Sequence, residues 1–138
     1  MKKRILIITL FFLLFLFAVI PATIMATKST GPIPVPGMVT MVDLGAHKCV
    51  PCKMMAPILE KLTNEYEDRA AVIFIDVWED KSQAKKFKIS SIPTQIFFDE
   101  QGKEVYRHQG FLAEKAIVSQ LAQMGVKTTG VKATAKVQ

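Results

Sequence analysis

The chain contains only two cysteines, Cys49 and Cys52, and they are separated by Val50 and Pro51. Two thiols at this spacing can form a structural disulfide, bind a metal ion together with other ligands, or alternate between reduced and oxidised states. A disulfide across so short a loop removes little entropy from the unfolded chain, so it would stabilise the fold poorly. The spacing therefore favours an exchangeable redox pair over a structural disulfide.

The surrounding sequence predicts that both thiols lie where a strand is followed by a helix. Residues 38–46 are apolar and β-branched, as in a strand, and apolar residues recur at helical spacing over 50–66. Cys49 would then cap the helix, where free backbone N–H groups and the helix dipole stabilise a thiolate and lower its pKa. Pro51 suits the first helical turn, and Cys52 would face back toward Cys49 one turn later.

A metal site is the other chemistry that two thiols allow. His47 is near the pair in sequence and His108 is far from it, so a four-ligand site lacks evident members. We therefore predict neither a metal nor another cofactor. A copper-handling dithiol carrier that uses Cys49, Cys52 and His47 stays open as an alternative.

Strand and helix signals continue along the rest of the chain in an order that indicates the fold class. After the first helix the sequence predicts strand, helix, strand, strand and helix, at 70–78, 81–88, 94–99, 104–108 and 112–124. Gly125 is expected to end the last helix. The order βαβ-α-ββα predicts an α/β fold with a small four-stranded mixed sheet and helices on both faces.

The segment from Met41 to about Gly125 resembles the thioredoxin family. The matching features, in the family's order and spacing, are Asp43 in VDLGA, CVPCK at 49–53, Pro57 in the following helix, SSIPT at 90–94 and Gly110. CxxC alone is a weak signal, but CxxC at a strand–helix turn with Ile-Pro-Thr about forty residues later is specific. The resemblance implies the thioredoxin fold and thiol–disulfide oxidoreductase activity on protein thiols.

The resemblance also implies roles for individual residues. Cys49 would attack a partner's disulfide, and Cys52 would resolve the mixed disulfide with help from Asp43, the buried acid that exchanges a proton with it. The bond between Ile92 and Pro93 would be cis, and the backbone of Ile92 would pair with the substrate. The expected substrate-binding residues are Val50, Pro51, Ile92, Pro93 and Gly110.

Three departures from the family pattern lie near the predicted site. Where thioredoxins carry two tryptophans, this chain has Gly45 and Lys48, and Val72 replaces the lysine that faces the buried acid. We therefore expect an altered docking surface and an altered proton relay. Burial between apolar neighbours should raise the pKa of Asp43.

The first 27 residues predict a membrane anchor or a signal segment. Basic residues at 2–4 precede a stretch without charged residues from Ile5 to Thr27, which is long enough to span a bilayer. Ile20 and Ile24 stand where a cleavage site needs small residues, so we expect an uncleaved single-pass anchor. The domain would face the periplasm or cell exterior of a bacterial cytoplasmic membrane, and the alternative is a secreted or periplasmic form after cleavage.

The remaining boundaries follow from composition. A Pro-rich linker is expected over 28–38, the thioredoxin-like domain over 39–125 and a flexible tail over 126–138. Few residues precede the domain, so the apolar stretch 72–75 is expected to be an edge strand with the proline segment 32–36 lying along it.

The charge of the chain argues against a nucleic-acid partner. The chain carries 18 Lys and Arg against 12 Asp and Glu, but seven of the basic residues lie in the two ends. The folded part is therefore nearly neutral and lacks the basic excess of a nucleic-acid-binding face.

The predicted function is a thiol–disulfide oxidoreductase outside the cytoplasm, with protein thiols and a membrane or periplasmic electron donor or acceptor as partners. Pro51 before Cys52 is similar to thioredoxin and favours a reductant. The copper carrier and a non-catalytic thioredoxin-like interaction module are the alternatives.

Overall fold

Four strands and three helices follow one another along residues 31–128, the part of the chain that this computed structural model describes. They are β1 (Thr40–Gly45), α1 (Val50–Glu65), β2 (Ala71–Asp76), α2 (Lys81–Lys86), β3 (Thr94–Phe98), β4 (Glu104–Gln109) and α3 (Glu114–Gln123). Every predicted element is present in the predicted order. The predicted anchor over 1–27 and most of the predicted tail lie outside the described residues.

The strands form one sheet in the order β2-β1-β3-β4. β1 pairs in parallel with β2 and antiparallel with β3, and β4 is antiparallel to β3. The mixed four-stranded sheet is confirmed, and β2 is an edge strand as expected. Since β1 is an inner strand, its end is held from both sides at the point where the chain enters α1.

The proline segment 32–36 does not pair with the edge strand β2, whose one strand neighbour in the described sheet is β1. The N–H of Gly37 instead donates to the carbonyl of Glu100 at 3.0 Å, next to the turn between β3 and β4. The N–H of Val35 donates to the hydroxyl of Thr40 at 3.0 Å. These bonds fold the segment back on the start of β1, so its predicted position along β2 is wrong.

Alternation along β1 sends its side chains into two cores. Met41 packs with residues of α1 and α3, whereas Val42 and Leu44 pack on the α2 side. The helix stripes that the sequence predicts are buried or partly buried in the first core: Met55, Ile58, Leu59, Leu62, Tyr66, Ile117, Val118, Leu121 and Met124. Because residues two apart on a strand share a face, Asp43 lies on the side of α1, two positions after Met41.

The helix α1 begins at the first cysteine and continues through a proline. Pro51 lies in its first turn, where a missing N–H has no intrahelical partner to lose. Pro57 lies inside the helix and cannot donate to the carbonyl one turn earlier. The helix continues to Glu65 because Met55 and Leu59, on either side of Pro57, are both anchored in the core.

The last helix ends as the sequence predicts, with Gly125 at a φ of +86°, a conformation that favours glycine. Within residues 31–128 no helix has both the length and the apolar character needed to cross a membrane.

Candidate redox site

The two cysteines lie where β1 leads into α1. Cys49 is the N-cap of α1, with φ −82° and ψ 127°, and its carbonyl accepts the N–H of Lys53 at 3.0 Å. Its own N–H donates to the carbonyl of Ala46 at 3.0 Å, which fixes the turn. Cys49 is partly exposed, whereas Cys52 is 3% exposed, and both thiols are free. This arrangement gives an outer thiol that a partner can reach and an inner thiol that it cannot.

The inner thiol holds its proton strongly. Burial, the hydrogen bond with the thiol of Cys49 and the charges of Cys49 and Asp43 together raise the pKa of Cys52 to about 12, and burial has the largest effect. A hydrogen bond with the backbone of Ala46 acts in the opposite direction. Cys52 is therefore protonated at neutral pH and needs a proton acceptor before it can act as a nucleophile.

Asp43 is fully buried, on the same side of the sheet as α1. Its Oδ1 accepts a hydrogen bond of 2.6 Å from Nε2 of Gln95, its cross-strand partner on β3. Burial raises the pKa of Asp43 from 3.8 to about 6, as expected for a desolvated carboxyl group, and the bond from Gln95 opposes that rise. A carboxyl group with this pKa can exchange a proton near neutrality.

Gln95 is the site residue that sequence reasoning missed. It is fully buried, and the stretch TQIFF around it forms β3. The available signal was a polar residue inside an otherwise apolar strand, directly after the Ile-Pro-Thr motif. Val72, which occupies the position of the family's lysine, pairs with Met41 in the sheet and supplies no polar group to Asp43.

Gly45 and Phe74 shape the surroundings of the inner thiol. A Cβ on Gly45 would lie 3.0 Å from Cε2 of Phe74 and 3.2 Å from Sγ of Cys52, so a side chain there has no room. The ring of His47 packs on Phe74 with centroids 5.0 Å apart, and the backbone N–H of His47 donates to Oδ2 of Asp76 at 2.8 Å. Phe74 and His47 thus occupy the space beside Gly45, where thioredoxins carry tryptophan.

The predicted substrate-binding residues lie in two groups. Val50 and Pro51 are in the exposed first turn of α1, where Val50 is 71% exposed. The bond between Ile92 and Pro93 is cis, as the resemblance implies, and the carbonyl of Pro93 accepts the N–H of Gly110 at 2.8 Å. This bond ties the start of β3 to the end of β4, so Ile92, Pro93 and Gly110 form one joined segment.

One group of potential metal ligands occurs in the described part of the chain, formed by His47, Asp76 and Glu79. Neither cysteine belongs to it, so the combination of Cys49, Cys52 and His47 that a copper carrier would use is not assembled there. The carboxylate oxygens of Asp76 already accept backbone N–H groups, among them that of Glu79 at 3.2 Å. The geometry around the cysteines is that of a dithiol site.

Comparisons with known proteins agree with this geometry. The family model for thioredoxin matches residues 36–123. The thioredoxin of Staphylococcus saprophyticus is 45% identical over 73 residues, which cover 53% of this chain and 69% of that protein. The thioredoxin of Staphylococcus aureus strain MW2 gives the same identity and coverage.

Solved structures show the same likeness. Chloroplastic thioredoxin z has a TM-score of 0.58 and 27% identity, over 64% of this chain and 80% of that chain. The thioredoxin Deadhead of Drosophila melanogaster has a TM-score of 0.56 and 26% identity, over 63% and 81% of the two chains. The fold of this chain is thus shared with solved structures of thioredoxins.

Proposed function

We propose that this chain, which belongs to the thioredoxin family and is a thiol–disulfide oxidoreductase, reduces protein disulfides outside the cytoplasm and is anchored by residues 1–27. The observation that identifies the attacking thiol is the unequal exposure of the two cysteines at the start of α1. Cys49 is accessible at the N-cap, and Cys52 is buried behind it. Only Cys49 can reach the sulfur of a partner protein.

The reaction has two exchange steps. The thiolate of Cys49 attacks one sulfur of the partner's disulfide, so a mixed disulfide forms and the partner's other sulfur leaves as a thiolate. Cys52 then attacks the sulfur of Cys49, the Cys49–Cys52 disulfide forms, and the second partner sulfur leaves. Two electrons pass from the dithiol to the partner, and the two leaving thiolates take up two protons.

Asp43 serves the second step. Cys52 must lose its proton to attack, and its pKa of about 12 makes spontaneous loss at neutral pH rare. Asp43 lies close enough for its charge to raise the pKa of Cys52, and its own pKa of about 6 leaves it mostly ionised at pH 7. The carboxylate of Asp43 therefore accepts the proton of Cys52 as resolution begins.

The direction and the location have separate support. Pro51 before Cys52 is the motif residue that thioredoxins share, and this likeness supports a reductant. The uncharged stretch from Ile5 to Thr27 supports an anchor with the domain outside the cytoplasm. A reductant there must be reduced again after each cycle, so a membrane or periplasmic dithiol donor is the partner that the proposal requires.

The equilibrium potential of the Cys49–Cys52 couple against glutathione or dithiothreitol tests the direction. A value of about −270 mV is expected for a reductant, and a value of about −120 mV would show an oxidant instead. Turnover of a protein disulfide such as that of insulin tests the activity. Cys49→Ser should abolish turnover, and Cys52→Ala should accumulate mixed disulfides with Cys49. If Cys52→Ala formed no adduct while the parent turned over, the assigned order of attack would be wrong.

A further inference from the structure

A row of four residues crosses the sheet at the level of Asp43. Asp43 on β1 is opposite Phe74 on β2 and Gln95 on β3, and Gln95 is in turn opposite His108 on β4. Directly opposite residues project to the same face of a sheet. Gln95 is therefore placed beside the carboxyl group by the strand register itself, and its amide Nε2 lies 2.6 Å from Oδ1 of Asp43.

Two buried oxygens in this pair have no hydrogen-bond partner within the described residues, Oδ2 of Asp43 and Oε1 of Gln95. An unpaired buried acceptor destabilises the fold, so each of these two oxygens should accept a hydrogen bond for part of the time. A protonated carboxyl group carries an O–H donor that the ionised form lacks, and an amide offers a donor and an acceptor on one carbon. A proton on Oδ2 of Asp43 would allow these two unpaired oxygens to share one hydrogen bond.

We propose that Gln95 is a positioning residue that pairs with Asp43 in both protonation states. Its Nε2 donates to the carboxylate, and after a half-turn of the amide its Oε1 accepts the O–H of the carboxyl group. This inference rests on the proposed role of Asp43 in resolution. When Cys52 is deprotonated, its S–H bond breaks and an O–H bond forms on Asp43. The rotated amide of Gln95 then accepts a hydrogen bond from this O–H until the proton leaves to solvent.

Gln95 is the one side chain that hydrogen-bonds to Asp43 within residues 31–128, and few charged groups compete with it. From α1 the titratable group that interacts with Asp43 is Cys52, which also interacts with Cys49. β2 presents the ring of Phe74, and α3 presents apolar residues to this core. His108 on β4 faces Gln95 rather than Asp43. The protonation of Asp43 therefore depends chiefly on burial and on this amide.

The first test is the replacement Gln95→Met, which keeps the length of the side chain and removes both amide groups. Both forms of Asp43 lose a partner, but the charged form loses the stronger, charge-assisted hydrogen bond, so the pKa of Asp43 should rise and its carboxyl ¹³C titration should move to higher pH. The pH midpoint for resolution of a preformed mixed disulfide should be about one unit higher, so the rate at pH 6 should fall by about fivefold as the ionised fraction drops from about one half to about one tenth. The rate of attack by Cys49 should not change.

Three control variants distinguish a change in the pKa of Asp43 from an effect of altered core packing. Ile96→Val, on the same strand but the opposite face, should leave the pH midpoint unchanged. His108→Gln should also leave it unchanged, which excludes titration of His108 as the cause. In an Asp43→Asn background, Gln95→Met should cause no further change in the pH midpoint of resolution, because the carboxyl group that Gln95 positions is gone.

A measurement on the parent protein needs no core substitution. The side-chain amide signals of Gln95 should change with pH at the midpoint of Asp43, and the change should vanish in Asp43→Asn. The inference would be overturned if the carboxyl titration were unchanged in folded Gln95→Met. It would also be overturned if the amide signals of Gln95 did not change at the pH midpoint of Asp43. If Asp43→Asn instead resolved mixed disulfides at the parental rate, the proposed function of Asp43 would fail, while the amide signals would still decide the pairing.

Discussion

Replacing Asp43 with asparagine should stabilise the fold at neutral pH and at the same time slow the resolving step. The carboxyl group is fully buried beside one amide, and it lies opposite Phe74 rather than a cation on β2. Its ionisation above pH 6 therefore places a poorly compensated negative charge in the core. Asparagine keeps an oxygen that can accept from Gln95, but it cannot ionise and cannot take a proton.

The magnitude follows from the pKa of Asp43, which burial raises from 3.8 to about 6. Below pH 3.8 both the folded and the unfolded chain hold the proton, so the stability is at its full value. As the pH rises toward 6, the unfolded chain ionises first and the folded state loses stability. At about 1.36 kcal/mol per pKa unit, the loss above pH 6 amounts to about 3 kcal/mol.

Urea denaturation of the parent and of Asp43→Asn at pH 3.5, 5, 6.5 and 8 measures this loss. The free-energy difference between the two should be near zero at the lowest pH and approach about 3 kcal/mol in favour of asparagine at pH 8. Glu67→Gln removes an exposed negative charge and controls for the change in net charge. Single-turnover resolution should slow by about 100-fold, since general base catalysis is lost.

A difference that stayed constant from pH 3.5 to 8 would refute the reasoning, because it would show that Asp43 ionises equally in the folded and unfolded chains. A less stable asparagine variant at pH 8 would refute it as well. Slower resolution without any pH-dependent gain in stability would mean that Asp43 acts in the reaction but is not desolvated.

Three further outcomes are expected. At limiting iodoacetamide, mass spectrometry of the reduced protein should find Cys49 alkylated before Cys52, and the reverse order would invert their roles. Gly45→Ala should lower the free energy of unfolding by about 1–3 kcal/mol, because the added methyl group meets Phe74 at 3.0 Å and Cys52 at 3.2 Å; unchanged stability would show that these neighbours move freely. The full chain should stay in the membrane fraction after a carbonate wash, whereas a mature N-terminus between residues 22 and 28 would replace the anchor with a secreted form.

The elements and the dithiol chemistry could be predicted because their signals are local. The spacing of Met55, Leu59 and Leu62 defines the buried face of α1, and Cys49 is its N-cap for reasons contained within a few residues. Pro57 alone would have argued for a helix end. The apolar stripe on both sides of it carries the helix through, which shows packing overriding a local preference.

Residues 31–38 could not be placed from the sequence because the hydrogen bonds that hold them use backbone groups of the segment, which any residue other than proline carries. The bond from Gly37 to the carbonyl of Glu100 joins segments more than sixty residues apart, and any residue pair can form it. The hydroxyl of Thr40 also donates to the carbonyl of Met38 at 3.0 Å. A bond of this kind produces no pattern of apolar or charged residues in the sequence.

The partner of Asp43 was missed for a different reason. All five residues of β3 are buried, so the strand lacks the polar–apolar alternation that would reveal which residues face α1. A shift of one residue in the pairing of β1 with β3 would turn Gln95 toward α2. Only the register of the folded sheet places its amide beside the carboxyl group.

Around Asp43, valine stands at 72 where the family carries lysine, and the amide of Gln95 is the polar partner that the carboxyl group has instead. A lysine facing the carboxylate would stabilise its charge and lower its pKa, whereas an apolar partner would leave the effect of burial unopposed and the pKa higher. A neutral amide gives an intermediate effect: burial still dominates, and the pKa of Asp43 is about 6. An acceptor with a pKa near the working pH is ionised often enough to take the proton of Cys52 and basic enough to hold it. Under the proposed pairing, Gln95 takes the place of the family's lysine as the polar partner of the buried acid.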